Sequence, residues 1–158
     1  TPEAGSTMVA AVIHGNMLYV ANVGDSRAYL LRAGTLTQLT RDHTLIEDYV
    51  RDGRLTAAQA VRHPDRHVLT RAMGLAPHLD SDLFTFDLLD GDLLLLCTDG
   101  LTKMLTNERI AQTVLPHPRD PLLTTQTLIH AALDEGGIDN VTVVACTLTE
   151  IPDQANIH

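Results

Sequence analysis

Three aspartates stand where an apolar strand begins or ends. Asp25 follows Val23-Gly24, Asp99 follows Cys97-Thr98, and Asp139 precedes the apolar run that starts at Val141. A buried, unpaired carboxylate is expensive, so each must reach water, take hydrogen bonds or hold a cation. If the three strand ends share one sheet edge, the carboxylates converge. Two such charges about 4 Å apart repel by about 4 kcal/mol at an effective dielectric of about 20. A bound cation relieves that repulsion, and an all-oxygen ligand set suits Mg²⁺ or Mn²⁺ rather than zinc. The alternative is that each aspartate serves its own turn, a role for which Asp is a favoured residue.

The elements that must position these residues are read from apolar patterning. Leu93-Leu94-Leu95-Leu96-Cys97 is a short apolar run bounded by Gly91-Asp92 and Thr98-Asp99-Gly100, the pattern of a strand buried on both faces. Upstream, 5–13, 17–23, 27–32 and 35–39 read as strands. They are separated by His14-Gly15-Asn16, Gly24-Asp25-Ser26 and Ala33-Gly34, and four short strands with tight turns predict an antiparallel meander. From Thr44 the period becomes helical, with Leu45, Ile46, Tyr49 and Val50 on one face and Gly53 as a stop. Thr56 reads as the N-cap of a further short helix, broken by His63-Pro64-Asp65. The segment 44–73 is charged and weakly apolar, and is expected to form a flap over the sheet. Strands resume at 83–87 and 93–97. A helix is expected from Thr106 to Val114, and another from Pro121 to Leu133, which Gly136-Gly137 terminates. The run 141–146 reads as a final buried strand. Strands first, then strands mixed with helices, define an α+β, largely antiparallel class.

Composition narrows the functions. The chain has 158 residues, 44% of them hydrophobic, enough for one domain with a real core. With 11 basic against 20 acidic residues the formal net charge is −9, which argues against a nucleic-acid or anionic-membrane partner. No apolar stretch reaches the length of a membrane span. Cys97 and Cys146 each sit within an apolar run and read as core thiols in a reducing, cytoplasmic setting, with a disulfide between neighbouring strands as the alternative. Residues 1–150 are expected to form the domain and 151–158 a tail.

Five motifs, in order, carry a resemblance. Gly5-Ser6-Thr7, Val23-Gly24-Asp25-Ser26-Arg27, Leu39-Thr40-Arg41-Asp42-His43-Thr44, Cys97-Thr98-Asp99-Gly100-Leu101 and Gly136-Gly137-Ile138-Asp139-Asn140-Val141-Thr142-Val143 resemble successive motifs of the PP2C-like, or PPM, metal-dependent protein phosphatases, in their bacterial branch. The resemblance implies a four-layer α-β-β-α sandwich and hydrolysis of phosphoserine or phosphothreonine in proteins by a water activated by two Mn²⁺ or Mg²⁺ ions. No side chain acts as the nucleophile. By motif, Asp99 and Asp139 match ligands of the two-metal centre. Asp25, with the Asp99 position, matches the holder of a third and weaker ion, and Asn140 is expected behind the ligands. The segment 44–73 matches the flap beside the active site. The implied partners are phosphorylated proteins, among them a serine/threonine kinase or its targets.

The family also carries an earlier segment with an Arg-x-x-Asn-x-Asp and an Asp-Gly-x-Gly-Gly motif, which supplies a bridging carboxylate and the phosphate-binding arginine. Neither motif is present here, so the chain reads as the C-terminal portion of a phosphatase domain. Two further readings follow: a pseudophosphatase that binds phosphoproteins without turnover, and a β-rich scaffold whose aspartates only make turns. Other residues carry less. His63 and His67 are interrupted by Pro64, and Ser26 lacks a neighbouring base. Arg27, Arg66 and Arg71 are expected to be solvated or to cap turns. Thr98 is expected to hydrogen-bond the Asp99 backbone.

Overall fold

A computed structural model describes residues 4–75 and 78–149. Two antiparallel sheets lie face to face. The first has the order β1-β2-β5, from β1 (Met8–His14), β2 (Met17–Val23) and β5 (Asp82–Asp87). The second has the order β4-β3-β6-β7, from β3 (Arg27–Arg32), β4 (Thr35–Gln38), β6 (Leu93–Cys97) and β7 (Val143–Thr147). The helices are α1 (Leu45–Arg51), α2 (Ala57–Ala60), α3 (Asp99–Thr102), α4 (Asn107–Val114) and α5 (Pro121–Asp134).

Strand alternation builds two cores. On β6, Leu93, Leu95 and Cys97 face Leu101, Leu105, Ile110, Val114 and Leu128 of the helical side. The intervening Leu94 joins Leu18, Val20, Ala28 and Leu30 between the sheets, with Phe84 and Phe86 packed against them. β6 is thus apolar on both faces because both faces are covered, as its unbroken run implies. Helices, the four-stranded sheet and the three-stranded sheet are three of the four layers expected. Val12, Tyr19 and Leu83 on the remaining sheet face are exposed.

The expected meander is corrected. β1 and β2 form one hairpin and β3 and β4 another, but β2 and β3 belong to different sheets. At Gly24, with φ of 98°, the chain folds over so that Leu18 and Val20 of β2 meet Ala28 and Leu30 of β3 across the sandwich. Two strands with matching apolar faces bury more by stacking than by pairing edge to edge. Asp25 sits in this crossover.

The helix starts follow their caps. Thr44 accepts from the Glu47 amide, Thr106 from Arg109 and Asp120 from Leu123, and Thr56 with Gln59 closes a capping box. Between α2 and β5 there is no helix or named strand among the described residues. The flap is closed on itself by the isolated bridge Thr44 to Leu69 and stitched to the body by the bridge Ser6 to Met73. Cys97 is buried, but Cys146 is exposed, which corrects the reading of both as core thiols. On β7 it shares the groove-facing side with Val144, beside Ala11 and Ile13, where the two sheets part. The tail from Glu150 lies outside the described residues.

Candidate metal centre

Asp25 and Asp99 line one cavity of about 880 Å³, whose walls also include Lys103 together with His67 and Arg66 of the flap. Asp99 is the first residue of α3, directly after β6. Asp139 lies in the loop that returns the chain to β7, and that loop is fastened to the end of β6. The Thr98 amide donates to the Thr142 carbonyl at 3.1 Å. The Thr142 amide donates to Thr98 Oγ1 at 3.0 Å, and Thr98 Oγ1 donates to the Asn140 carbonyl at 3.3 Å. Thr98 therefore ties the end of β6 to the 139–142 loop instead of bonding the Asp99 backbone, which corrects its expected role. Gly100 is required here, because a Cβ at that position would collide with the Asn140 carbonyl oxygen.

A lysine joins two of the carboxylates. Lys103 Nζ lies 2.6 Å from Asp99 Oδ2 and 2.7 Å from Asp139 Oδ2. Desolvation works against the lysine's charge, but the hydrogen bonds to Asp139 and Asp99 outweigh it and raise its pKa. The same contact, with the Asn140 amide donating to Asp139 Oδ1 at 2.8 Å, holds the Asp139 carboxyl below its ordinary range. Asn140 thus stands behind Asp139 through its backbone. The sequence reading missed Lys103, although its spacing of four residues after Asp99 is the signal of a helical acid–base pair.

Asp25 is buried and makes no ion pair among the described residues. Burial, followed by the Asp99 and Asp42 charges, pushes its carboxyl above the ordinary range. Its electrostatic tie to Asp99 places it in the same field. Even so, no three potential metal-ligating side chains stand together as a closed set among the described residues. Asp99 and Asp139 share the Lys103 ammonium, whereas Asp25 is linked to Asp99 only through the repulsion between their charges.

The turn that carries Asp25 is clamped. The Gly24 amide donates to His43 Nδ1 at 3.2 Å, and the His43 amide donates to the Gly24 carbonyl at 3.0 Å. Asn22 Nδ2 donates to the Arg41 carbonyl at 2.8 Å. Arg27 is not free for a ligand: its guanidinium meets Asp42 at 2.7 Å and donates to the Tyr29 hydroxyl. Arg71 pairs with Asp82 at 2.9 Å. The Ser26 hydroxyl bonds Thr7 Oγ1, in keeping with a turn role.

The Protein phosphatase 2C family profile matches residues 1–48. The serine/threonine phosphatase stp of Listeria welshimeri is 39% identical over 140 residues, which is 89% of this chain and 55% of that protein. The crystal structure of the Mycobacterium tuberculosis serine/threonine phosphatase PstP/Ppp aligns with a TM-score of 0.86 at 38% identity, over 92% of this chain and 60% of that one. Over nearly its whole length this chain matches the PP2C-like, or PPM, phosphatases in sequence and in fold. Another PPM structure, the catalytic domain of a PstP phosphatase in complex with two manganese ions, aligns with a TM-score of 0.77 at 36% identity, over 89% of this chain and 57% of that one. The chain thus spans little more than half the length of such relatives. Within it, the donors that Asp25, Asp99 and Asp139 offer are carboxylate oxygens, and a positive group already sits between the last two. That donor chemistry fits a hard divalent ion. No helix among the described residues is long and apolar enough to cross a membrane.

Proposed function

We propose that this chain takes part in the metal-dependent hydrolysis of phosphoserine and phosphothreonine in proteins. Asp99 and Asp139 would hold ions of a two-metal centre, and Asp25, with Asp99, a third and weaker one. Mn²⁺ is the favoured ion, in keeping with the manganese complex of the related PstP domain; Mg²⁺ shares its preference for oxygen ligands. When bound, such ions supply an acidified water as nucleophile and neutralise phosphoryl charge. The chain's own residues do the rest. The Asn140 amide orients Asp139, Thr98 locks the Asp139 loop to β6, and the His43 clamp sets the Asp25 turn. The flap 44–73 borders the cavity and would meet the phosphoprotein, a serine/threonine kinase or one of its targets. Free cysteines suit a cytoplasmic setting.

One observation carries this reading: Asp99, at the start of α3, and Asp139, from the loop before β7, aim carboxylate oxygens at one positive group. The test is turnover of a phosphothreonine peptide by the full-length protein with Mn²⁺. Asp99→Ala and Asp139→Ala should each abolish activity, and Asp25→Ala should lower turnover while the two-metal core persists. Full activity in Asp139→Ala overturns its assignment.

The Lys103 ammonium held between Asp99 and Asp139 favours a second reading, a pseudophosphatase that binds phosphoproteins. Binding of the phosphopeptide by the full-length protein without turnover in saturating Mn²⁺ would select it.

A further inference from the structure

The Lys103 ammonium occupies the point on which Asp99 Oδ2 and Asp139 Oδ2 converge, and its side chain is only 18% exposed. We infer that Lys103 is a resident counter-cation of this carboxylate pair, which competes with the divalent ion and so sets the metal affinity of the site. The inference rests on the reading of Asp99 and Asp139 as metal ligands.

Geometry makes the competition direct. A divalent ion needs the oxygens that the ammonium now holds, and two cations cannot share them at contact distance. Lys103 follows the single turn of α3 and stands four residues from Asp99, so its backbone keeps the charge near the site whatever its rotamer. Its four-carbon stem is flexible, and the cavity beside it has room for the ammonium to swing aside. Glu47 and Glu108 line that cavity, along with Arg62 and Arg66, so its walls carry both signs of charge. While the ammonium is in place, it holds Asp99 and Asp139 together against their mutual repulsion. The site is thus kept assembled without metal, and metal must displace its keeper. A ligand that binds only the fraction of molecules with the site open shows an affinity lowered by that fraction.

The two effects predict opposite signs in one variant. Lys103→Met keeps the length of the stem and removes the charge. In the full-length protein, calorimetric titration with MnCl₂ should show binding about tenfold tighter than wild type, as expected for removing two close ion pairs from the competing state. The metal-free protein should melt at a lower temperature than wild type, because the carboxylates lose their counter-cation. Lys103→Arg, which keeps the charge, should stay near wild-type affinity. A merely structural loss would weaken Mn²⁺ binding, so tightening is the diagnostic result. Unchanged or weaker binding in Lys103→Met overturns the inference. So does loss of inorganic-phosphate binding at unchanged Mn²⁺ affinity, which would make Lys103 a substrate contact. If wild type binds no Mn²⁺, or Asp99→Asn and Asp139→Asn bind it as wild type does, the metal-site reading itself fails and the inference falls with it.

Discussion

His43 and Gly24 are joined by two hydrogen bonds, one in each direction, which fix the turn that carries Asp25. The amide of Gly24 can only donate, so His43 Nδ1 accepts and the ring proton sits on Nε2. That nitrogen faces Asp82 Oδ2 at 3.2 Å. His43 is 4% exposed, so removing its ring leaves the Gly24 amide without a partner in a dry place. His43→Ala should cost about 2–3 kcal/mol, in line with a lost buried hydrogen bond plus a cavity. His43→Asn keeps an acceptor at the Nδ1 position and should recover part of the loss. Urea unfolding of the three proteins checks the order; equal midpoints would remove the clamp from the account.

The far side of the same clamp predicts an acid limb. Burial works to raise the Asp82 carboxyl, but His43 and then Arg71 outweigh it and hold the group below its ordinary value of 3.8. A depressed carboxyl contributes stability above its unfolded pKa and loses it as pH falls through the folded one. Stability from this group should therefore be full near neutrality and fade below about pH 4. Asp82→Asn should flatten that part of the profile, measured as melting temperature against pH. A profile that keeps its full acid slope in Asp82→Asn would assign the limb to other carboxylates.

What could be read in the sequence, and what could not, divides along physical lines. The bounds of β2, β3, β6 and α4 follow from turn residues, caps and period, which are local signals. The pairing of β2 with β5 rather than β3 is not local. Alternation shows which side of Leu18 and Val20 is apolar, but not which strand lies alongside. Cys146 sits in an apolar run, yet its burial depends on what covers the groove above β7. Asp99 and Asp139 stand out in the sequence because a carboxylate beside a buried strand is costly, and the structure joins these two through Lys103. Lys103 does not stand out, because an isolated lysine in an acidic chain reads as solvated until α3 turns it back onto Asp99. His43 stands out in the sequence only within its motif, since a single buried histidine leaves no periodic trace.

The close approach of α3 to the Asp139 loop yields the last prediction. Gly100 is buried within α3, and a Cβ there would run into the Asn140 carbonyl, a backbone atom that cannot rotate away. The loop cannot retreat cheaply. Its Asn140 carbonyl accepts from Thr98 Oγ1, its Thr142 amide donates to the same oxygen, and Asp139 is held by Lys103. Gly100→Ala should therefore destabilise the protein by about 1–3 kcal/mol, the usual range for forced overpacking. It should also push Asp139 out of line with Asp99. Mn²⁺ binding by the folded variant, measured well below its melting temperature, should weaken, in contrast to the tightening expected of Lys103→Met. The two substitutions lie three residues apart, one crowding the loop and one removing a charge. Opposite signs in calorimetry would show that affinity responds to the alignment of Asp99 with Asp139 and to the cation between them. The same sign in both would leave only general damage to α3 as their common cause.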